Sequence, residues 1–561
     1  MTQSCKHCQQ SFTITQDDLN KIAHLSPTIA GIKLTLPPPK LCPECRKQRR
    51  ATYRNERKLY HRKCNHCQKE IISVYAPEKP YNVFCLTCWW DDKHNPADYG
   101  QEFDFSRPFF AQYDELLKKV PLPALISSPD AEENNCSYIN YAGNSKNCYM
   151  TFDADFNEDS YYSNILKHSK NCMECSSLQE SELCYETLIS TGCYHTFFSQ
   201  ELTNCQDCYF LKNCIGCRNC LLCVNLNHKE YCIMNKQYTK EQYLEYMSKI
   251  DLGDRKTIQA LEQELEKLAA SAPHKFIHGV NLENCTGDYM VNAKNCQNCF
   301  MVGNVEDLTY CDSLYRAKDC MDVSSFGEQL ERAYETVSSG INAYELQFCQ
   351  VCATNTYNLQ YNYGSRNSKN SFGSVALKSN EYCILNKQYT KDTYEKLVSK
   401  IVEHMKSTGE WGEYFPMSIS PYAYNETVAN EFFPLSKEQA LKLDATWKEE
   451  DLMNRYEGPK VVVPENIKDV SEQVLKQILT CDKCGKNYKL IAQELKFYQE
   501  QKLPLPIWCF NCRHEKRMSK RNPQHLWDRN CSQCNTSLKT SYSPNRPEKI
   551  YCEPCYQKLV F

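Results

Sequence analysis

Paired cysteines near both ends constrain this chain more than any other feature. The spacing Cys-x2-Cys occurs four times within residues 1–95 and four times within residues 476–561. Two residues between the cysteines let one tight turn present both sulfurs, and two such turns supply the four thiolates of a tetrahedral structural Zn²⁺ site. The pairs therefore predict four zinc sites. Their ligands are Cys5, Cys8, Cys42 and Cys45; Cys64, Cys67, Cys85 and Cys88; Cys481, Cys484, Cys509 and Cys512; and Cys531, Cys534, Cys552 and Cys555.

The two ends repeat each other, so chance is a poor explanation of their spacing. Connectors of 18 residues, 46–63 and 513–530, separate the two predicted zinc ribbons of each end, and 17 residues separate the pairs within each second ribbon. Four sulfurs complete each tetrahedron, so His7 and His66, which lie inside pairs, are interpreted as surface residues. No site keeps the open position that a catalytic zinc needs.

Both connectors are basic and align without a gap. Each carries three arginines spaced four apart, which places them on one face of a predicted helix of about two and a half turns. A row of guanidinium groups suits phosphate oxygens, so the connectors predict a nucleic-acid-binding surface, with RNA favoured over DNA. A solvated helix face and docking onto an acidic protein surface are the alternatives. The candidate residues are Arg46, Arg50, Arg54, Arg513, Arg517 and Arg521.

The charge of the chain is segregated. The formal net charge is −3, but residues 1–95 carry +8 and residues 476–561 carry +9, which leaves −20 for residues 96–475. The basic ends are therefore suited to nucleic acid, to an acidic partner protein, or to the acidic centre of the chain itself.

The centre is built from a twelve-residue repeat. In rows of twelve from Cys136, the first column is cysteine in seven rows of nine and serine or threonine in the other two. The segment "EYCIMNKQYTK" at 230–240 returns as "EYCILNKQYTK" at 381–391, so a second nine-row copy is expected 151 residues later, from Gly287 to Tyr394, without an insertion. A fixed short period with a column of small residues is typical of a solenoid.

The repeat predicts two parallel β-helices, each of nine twelve-residue units, with ladders of asparagine and cysteine. Asn-Cys recurs at steps of 24 residues, so a coil of two units is favoured and a coil of one unit is the alternative. Capping boxes predict helices that begin at Thr239 and at Ser436, the latter through about residue 447. Helices are also predicted at 257–270 and after Pro108.

Four closely spaced cysteines, Cys214, Cys217, Cys220 and Cys223, raise a separate question, because such runs also hold iron–sulfur clusters. The corresponding residues of the second copy are Ser365, Ser368, Ser371 and Ser374. In addition, residues three apart on a strand point to opposite faces. Packing of small side chains is the favoured interpretation, and a metal site is the alternative.

The expected fold is multidomain, with a duplicated parallel β-helix or solenoid core, tandem four-cysteine zinc ribbons at both ends and short connecting helices. The expected boundaries are 1–95 for the first ribbons, 96–134 for a linker helix, 135–250 for the first solenoid with its capping helix, 251–283 for a second linker helix, 284–405 for the second solenoid with its capping helix, 406–475 for an aromatic and helical connector whose residues 456–470 form a hinge, and 476–561 for the last ribbons.

The remaining observations bear on function. The chain has no signal peptide and no apolar run of transmembrane length, so a cytoplasmic protein without membrane contact, and with reduced thiols, is expected. It contains no HExxH, GxSxG, P-loop or GxGxxG motif. A non-enzymatic zinc-binding scaffold for nucleic acid is favoured, and a protein-interaction scaffold with basic ends that dock acidic partners is the alternative. An iron–sulfur redox protein or a β-helix enzyme is the least favoured.

Several segments resemble a set of uncharacterised cysteine-rich zinc-ribbon proteins of candidate-phyla bacteria. They are "PPPKLCPECRKQRR", "RNERKLYHRKC", "EFDFSRPFF", "SPYAYNETVA" and "ELKFYQEQKLPLP". The resemblance spans most of the chain and implies zinc ribbons from Cys5 to Cys88 and from Cys481 to Cys555, but no activity. Phe510 departs from it, because such knuckles usually have proline there.

Overall fold

A computed structural model describes the chain except for residues 130, 132, 332, 340–342, 353–354, 450–457 and 561. The helices of the described part are α1 (Gln16–Leu25), α2 (Pro43–Ala51), α3 (Leu86–Trp90), α4 (Phe109–Lys119), α5 (Lys240–Ser248), α6 (Arg255–Ser271), α7 (Lys391–Thr408), α8 (Val428–Phe432), α9 (Lys437–Lys442), α10 (Ala492–Glu500), α11 (Phe510–Ser519) and α12 (Glu553–Val560). Short 3-10 helices lie at Pro96–Tyr99, Met417–Ile419, Tyr424–Glu426, Ile467–Asp469 and Glu472–Lys476.

A large sheet, here called the first sheet, occupies residues 140–237, and almost all of its neighbouring strands are parallel. Phe152 pairs with Asn164, Asn164 with Ser176, and Ser176 with Leu188, so each strand lies beside the one twelve residues later. A coil of two units would place neighbours 24 residues apart, so the favoured 24-residue step is wrong. The strands are Asn140–Gly143, Phe152–Asp155, Asn164–Lys167, Ser176–Gln179, Leu188–Thr191, Tyr194–Phe197, Gln200–Thr203, Gln206–Ile215, Arg218–Val224, Cys232–Ile233 and Lys236–Gln237.

Every third residue from Ile139 to Cys223 is buried, although side chains of a regular strand alternate with a period of two. Ile139 and Ala142 are buried, and the residues before them, Tyr138 and Tyr141, have φ angles of 55° and 50°. A left-handed residue after every two extended ones turns the chain and so changes the period to three. Each turned residue donates its backbone N–H to the carbonyl thirteen residues earlier, as in Asn147 to Asn134 at 2.9 Å, which keeps the turned backbone paired.

The second sheet occupies residues 279–388 and repeats this architecture with uneven steps. Asp312 pairs with Ser324, twelve residues later, but Ser324 pairs with Val337 and Val337 with Gln350, thirteen residues later. The prediction of a second copy without insertion is therefore wrong. The repeated EYC segments are 151 residues apart, but the longer steps change this offset toward the start of the sheet. When paired strands are counted back from these segments, Ser324 corresponds to Ser176, which lies 148 residues earlier.

The strands of the second sheet are Gly279–Glu283, Gly287–Lys294, Cys299–Thr309, Asp312–Met321, Ser324–Leu330, Val337–Ser339, Gln350–Cys352, Tyr357–Gln360, Lys369–Phe372, Glu381–Ile384 and Lys387–Gln388. The short strands outside the two sheets pair as Thr2–Ser4 with Ser11–Thr13, Thr28–Ile29 with Ile32–Lys33, Tyr60–Lys63 with Glu70–Ser73, Val83–Phe84 with Leu122–Pro123, Leu479–Thr480 with Asn487–Tyr488, Trp527–Asn530 with Ser537–Thr540, and His274–Lys275 with Ile550–Tyr551.

The predicted asparagine ladders are present. Asn135 donates its side-chain amide to Asn147, and Asn147 donates to Asp159, both at 3.1 Å and both across twelve residues. The second sheet has the same ladder from Asn292 to Asn304 at 2.8 Å. Amide side chains therefore tie neighbouring units together along the outside of each sheet.

The connecting helices lie close to their predicted positions. Capping boxes begin α5 at Thr239 and α9 at Ser436, although α9 ends at Lys442, five residues before the predicted end. The predicted helix 257–270 is α6. Proline precedes α4, as expected.

The expected hinge at 456–470 is not a free linker over its described part, and its first two residues lie outside the described residues. Arg255, the first residue of α6, forms an ion pair with Glu465 at 2.9 Å, and Ile467 is buried. This segment therefore packs on α6, because α6 offers it both an ionic and an apolar contact.

Each end of the chain shares its main apolar core with the sheet that is farther away in sequence. Tyr75, in the N-terminal ribbons, meets Tyr363 of the second sheet, with hydroxyl oxygens 2.8 Å apart. Tyr498, near the C-terminus, packs edge-on against Tyr185 of the first sheet, with ring centroids 5.8 Å apart. The ribbons and sheets therefore share two apolar cores in a crossed arrangement.

Candidate metal centres and buried arginine joints

The structure brings together all four predicted ligand sets. In each set the four sulfur atoms lie within 4.8 Å of one another. Sulfurs from different pairs come close, with Cys8 and Cys42 at 3.8 Å and Cys534 and Cys552 at 3.6 Å. Four convergent thiols form a donor set that suits a tetrahedral metal ion. The four sets can each hold such an ion.

The backbone of the two pairs in each set explains this convergence. The second pair begins a helix, because Cys42, Cys85 and Cys509 are the N-caps of α2, α3 and α11. The positive end of a helix favours a thiolate. The first pair ends in a left-handed turn, since the residue after its second cysteine has a φ of 61° to 71° in every set. These turn residues are Gln9, Gln68, Gly485 and Asn535.

Backbone N–H groups favour the ionised form of the first cysteine in three sets. Burial raises the pKa of Cys531, but N–H groups of Cys534, Cys552 and Gln533 lower it to about 6. The N–H of Cys552 lies 3.4 Å from the Cys531 sulfur. The same balance lowers the pKa of Cys64 to about 7. The thiolate of the first cysteine, the form that ligates metal, is therefore stabilised near neutral pH in these sets.

The run Cys214, Cys217, Cys220 and Cys223 lies inside the first sheet, and all four side chains are fully buried. The expectation that residues three apart point to opposite faces is wrong here, because the left-handed turns give a period of three. Within the described residues these sulfurs do not form a group of three or more ligand atoms within 4.8 Å of one another. Each thiol instead donates to the carbonyl two residues before it, at 3.2 to 3.6 Å.

Two of the four serines that replace these cysteines in the second sheet make the same contact, and the other two donate to the side-chain oxygen of Asn362. Ser368 donates to the carbonyl of Arg366 at 2.8 Å, as Cys217 donates to that of Ile215 at 3.6 Å. Position 217 thus accepts either a thiol or a hydroxyl that donates to the same carbonyl, without any metal. This supports packing over a metal site for the run.

The arginines of the N-terminal connector meet a buried carboxylate. Arg46 lies 2.8 Å and Arg50 lies 3.0 Å from the two oxygens of Asp322, in the second sheet, and all three side chains are at most 2% exposed. The guanidinium of Arg46 also lies 5.3 Å from the ring centre of Tyr310. One carboxylate therefore joins two arginines of α2 to the second sheet. Such a contact of one buried acid with two arginines is here called a joint.

A matching joint fixes the C-terminal connector to the first sheet. Arg513 lies 2.9 Å from Glu174, which also pairs with Arg517, and Glu174 is fully buried. The guanidinium of Arg513 lies 4.9 Å from the ring centre of Tyr162. Arg513 makes a second ion pair, at 2.9 Å, with the buried Glu494.

The two joints occupy equivalent places in the duplicated molecule. Asp322 follows Glu174 by 148 residues, the same interval that relates the sheets at Ser176 and Ser324. Tyr162 and Tyr310 are also 148 residues apart. The connectors align as Arg46 with Arg513 and Arg50 with Arg517. Both halves of the molecule therefore hold the same arrangement of one acid, two arginines and one tyrosine.

The third arginine of each connector lies beyond the end of its helix, because each helix has about the predicted length but begins three residues before the first arginine. Arg54 is 3% exposed and lies 3.2 Å from Asp153. Arg521 is half-buried and contacts the sulfur atoms of Met301 and Met518.

These contacts overturn the expectation that Arg46, Arg50, Arg54, Arg513 and Arg517 form an exposed phosphate-binding row. All five are at most 5% exposed and are ion-paired with acidic residues of the chain itself. The structure therefore matches the alternative of docking onto the acidic centre. A basic helix face has the same sequence whether it meets water or a buried acid.

The carboxylates of these joints escaped the sequence analysis, although a signal for them exists. The third column of the first repeat is apolar in seven rows of nine, as in Tyr162, Phe198 and Leu222, and Glu174 and Glu186 interrupt it. An acidic residue in an apolar column needs a basic partner. Glu186 has one in Lys516, 3.8 Å away.

Comparisons with known proteins add no relative. No family model matches the chain, and no curated protein matches it. A crystal structure described as an acetyltransferase from Desulfovibrio desulfuricans G20 aligns with 49% of this chain and 80% of its own, at 10% identity and a TM-score of 0.10. That similarity is too low to carry an argument. Among the described helices, none is long and apolar enough to cross a membrane.

Proposed function

We propose that this chain is a non-enzymatic, zinc-dependent scaffold for protein interaction, in which metal-bound ribbons clamp two rigid repeat domains. One observation carries the proposal: in each half, a metal-ligand cysteine and an arginine that pairs with a buried acid are adjacent on the same helix. Cys45 and Arg46 are adjacent on α2, and Cys512 and Arg513 are adjacent on α11. An ion that fixes the cysteine also fixes the arginine beside it.

The repeat domains supply the rigid body of this scaffold. We infer that each twelve-residue unit forms one turn of a solenoid, since isolated parallel bridges with the same step flank the first sheet. They join Ser137 to Tyr149 on one side and Lys146 to Glu158 on the other. Zinc is the proposed ion because it prefers four tetrahedral thiolates, and a reducing cytoplasm would keep the other 21 cysteines as thiols.

Metal analysis of natively purified protein tests the proposal. We expect about four zinc ions per chain, in line with four four-thiolate sets. The ratio of absorbance at the nucleic-acid and protein maxima should equal that of protein alone. Chelation should make residues 1–95 and 476–561 sensitive to protease, while chelator pre-saturated with zinc should not.

Three outcomes would contradict it. Iron in place of zinc would support redox chemistry. Copurified nucleic acid that resists high salt would support nucleic-acid binding by residues other than the buried arginines. Full protease resistance after complete removal of the metal would show that the ribbons dock without it.

A further inference from the structure

The two sheets end in nearly the same turn, but the turns differ in exposure. Residues 230–240 and 381–391 differ at one position. Leu385 and Asn386 of the second sheet are fully buried, whereas Met234 of the first is 43% exposed and Asn235 is exposed. Since the sequences agree, the difference lies in what packs against each turn.

The 3-10 helix Pro96–Tyr99 and the residues that follow it cover the turn of the second sheet. The side-chain amide of Asn386 donates to the carbonyl of Pro96 at 2.9 Å. The backbone N–H of Gln101 donates to the carbonyl of Leu385 at 3.1 Å. The turn therefore recognises main-chain groups of the segment, whose backbone is extended from Gly100 onward, with a φ of −59° and a ψ of 139° at that residue.

Two further contacts define the sequence that this turn accepts. A Cβ atom on Gly100 would lie 2.6 Å from the Cα of Lys387 and 2.8 Å from the carbonyl oxygen of Asn386, so only glycine fits at the closest approach. The ammonium of Lys387 pairs with Glu102 at 2.6 Å. The accepted sequence has a glycine and, two residues later, a carboxylate.

The turn of the first sheet presents the same groups without this cover. Asn235 donates to the carbonyl of Val224 at 2.9 Å, as Asn386 does to that of Val375 at 2.8 Å. Lys236, the counterpart of Lys387, is exposed, and no described carboxylate lies within 4.0 Å of its ammonium.

We propose that residues 234–237 bind an extended segment of a partner protein that carries glycine and a carboxylate in the spacing of Gly100 and Glu102. This inference rests on the proposed scaffold function and names its docking site. A second copy of the chain is not the proposed occupant, because its own residues 96–102 already lie on its second sheet.

A peptide taken from the chain itself tests the site. The probe is residues 94–106, labelled at its N-terminus and titrated with the full zinc-loaded protein while fluorescence anisotropy is recorded. We expect saturable one-to-one binding. The peptide change Gly100→Leu and the protein change Lys236→Glu should each weaken binding at least tenfold, and the peptide change Glu102→Lys should restore binding to Lys236→Glu. The matched protein variant Lys256→Glu, an exposed lysine on α6, should bind like the wild type.

Each contrary result overturns the inference. No saturable binding up to about 1 mM peptide would show that the turn is not a docking site. Binding that ignores Lys236→Glu would mean that the peptide displaces the tethered segment of the second sheet. Self-association that depends on Lys236 in the absence of peptide would identify a second copy as the occupant. Metal content is measured on the same samples, so a zinc-loaded protein that ignores the peptide contradicts this inference alone.

Discussion

Each of the two sheets has a joint of the same design, but the two differ in the side chains that line their interiors. The first contains 12 cysteines and the second contains 8, and the serines from Ser365 to Ser374 replace a whole cysteine run. By contrast, each sheet keeps one buried acid, Glu174 or Asp322, that holds two arginines. The interior thiols therefore serve for packing and can be replaced by serine, whereas the joints and the terminal cysteine sets are kept in both halves.

Metal removal should have the largest effect, and it should affect both ends alike. Structural zinc sites contribute about 10–16 kcal/mol of apparent folding free energy, so ribbons without metal should unfold and release both joints. Limited proteolysis with mass spectrometry is expected to show cuts in 1–95 and 476–561 before any in the sheets. If one end alone resisted the protease after metal removal, the two joints would not be equivalent.

Removal of a joint acid should come next in size. The variants Glu174→Ala and Asp322→Ala each leave two buried guanidinium groups without a shared carboxylate, which should cost about 3–5 kcal/mol of unfolding free energy. Denaturant titration of the zinc-loaded protein measures this loss.

Glu182→Ala, which changes an exposed glutamate of the first sheet, serves as the control and should leave the unfolding free energy nearly unchanged. The comparison of the two sheets fails if one joint variant costs several times more than the other.

A smaller, pH-dependent effect should separate the two sheets. Asp288 of the second sheet lies 2.9 Å from His278, whereas its counterpart in the first sheet, Asn140, bonds the carbonyl of Asn55. Burial lowers the pKa of His278, but Asp288 and Glu201 raise it, and the net change is upward. The protonated histidine therefore stabilises the fold below pH 6.5, and this contribution disappears as the pH rises through the raised pKa.

Denaturant titrations from pH 6 to pH 9 measure this effect. The wild type should lose stability over that range by more than His278→Asn does, whereas Asn140→Ala should lower stability by the same amount at every pH. Parallel curves for the wild type and His278→Asn would remove the assigned role of the histidine.

The smallest effect should come from the interior thiols. Cys220→Ser reproduces the second sheet, where Ser371 is the counterpart, so the unfolding free energy should change by less than about 1 kcal/mol. The larger Cys220→Leu should cost about 1–3 kcal/mol, since the interior has no room for it. Loss of a metal ion from Cys220→Ser would restore the metal-site interpretation of the run.

The four cysteine sets and the twelve-residue repeat could be predicted from the sequence because both depend on local spacing. Cys5 and Cys8 meet through one turn, and the twelve-residue step sets which residues become neighbours. The direction of the side chains was misjudged, since a residue such as Tyr138 gives no sign that it adopts a left-handed backbone. The burial and ion pairing of Arg46 were not predicted because its partner, Asp322, is 276 residues away in sequence.

The crossed docking of ribbons has a consequence for synthesis on the ribosome. The first ribbons emerge long before Asp322, and translation at about 5–20 residues per second delays their acceptor by about 15–55 s. During this interval the amino-terminal module carries guanidinium groups that have no acidic partner yet. Nascent chains are thus most vulnerable to chaperone capture and to exchange of ribbons with a neighbouring polypeptide before the second half is made.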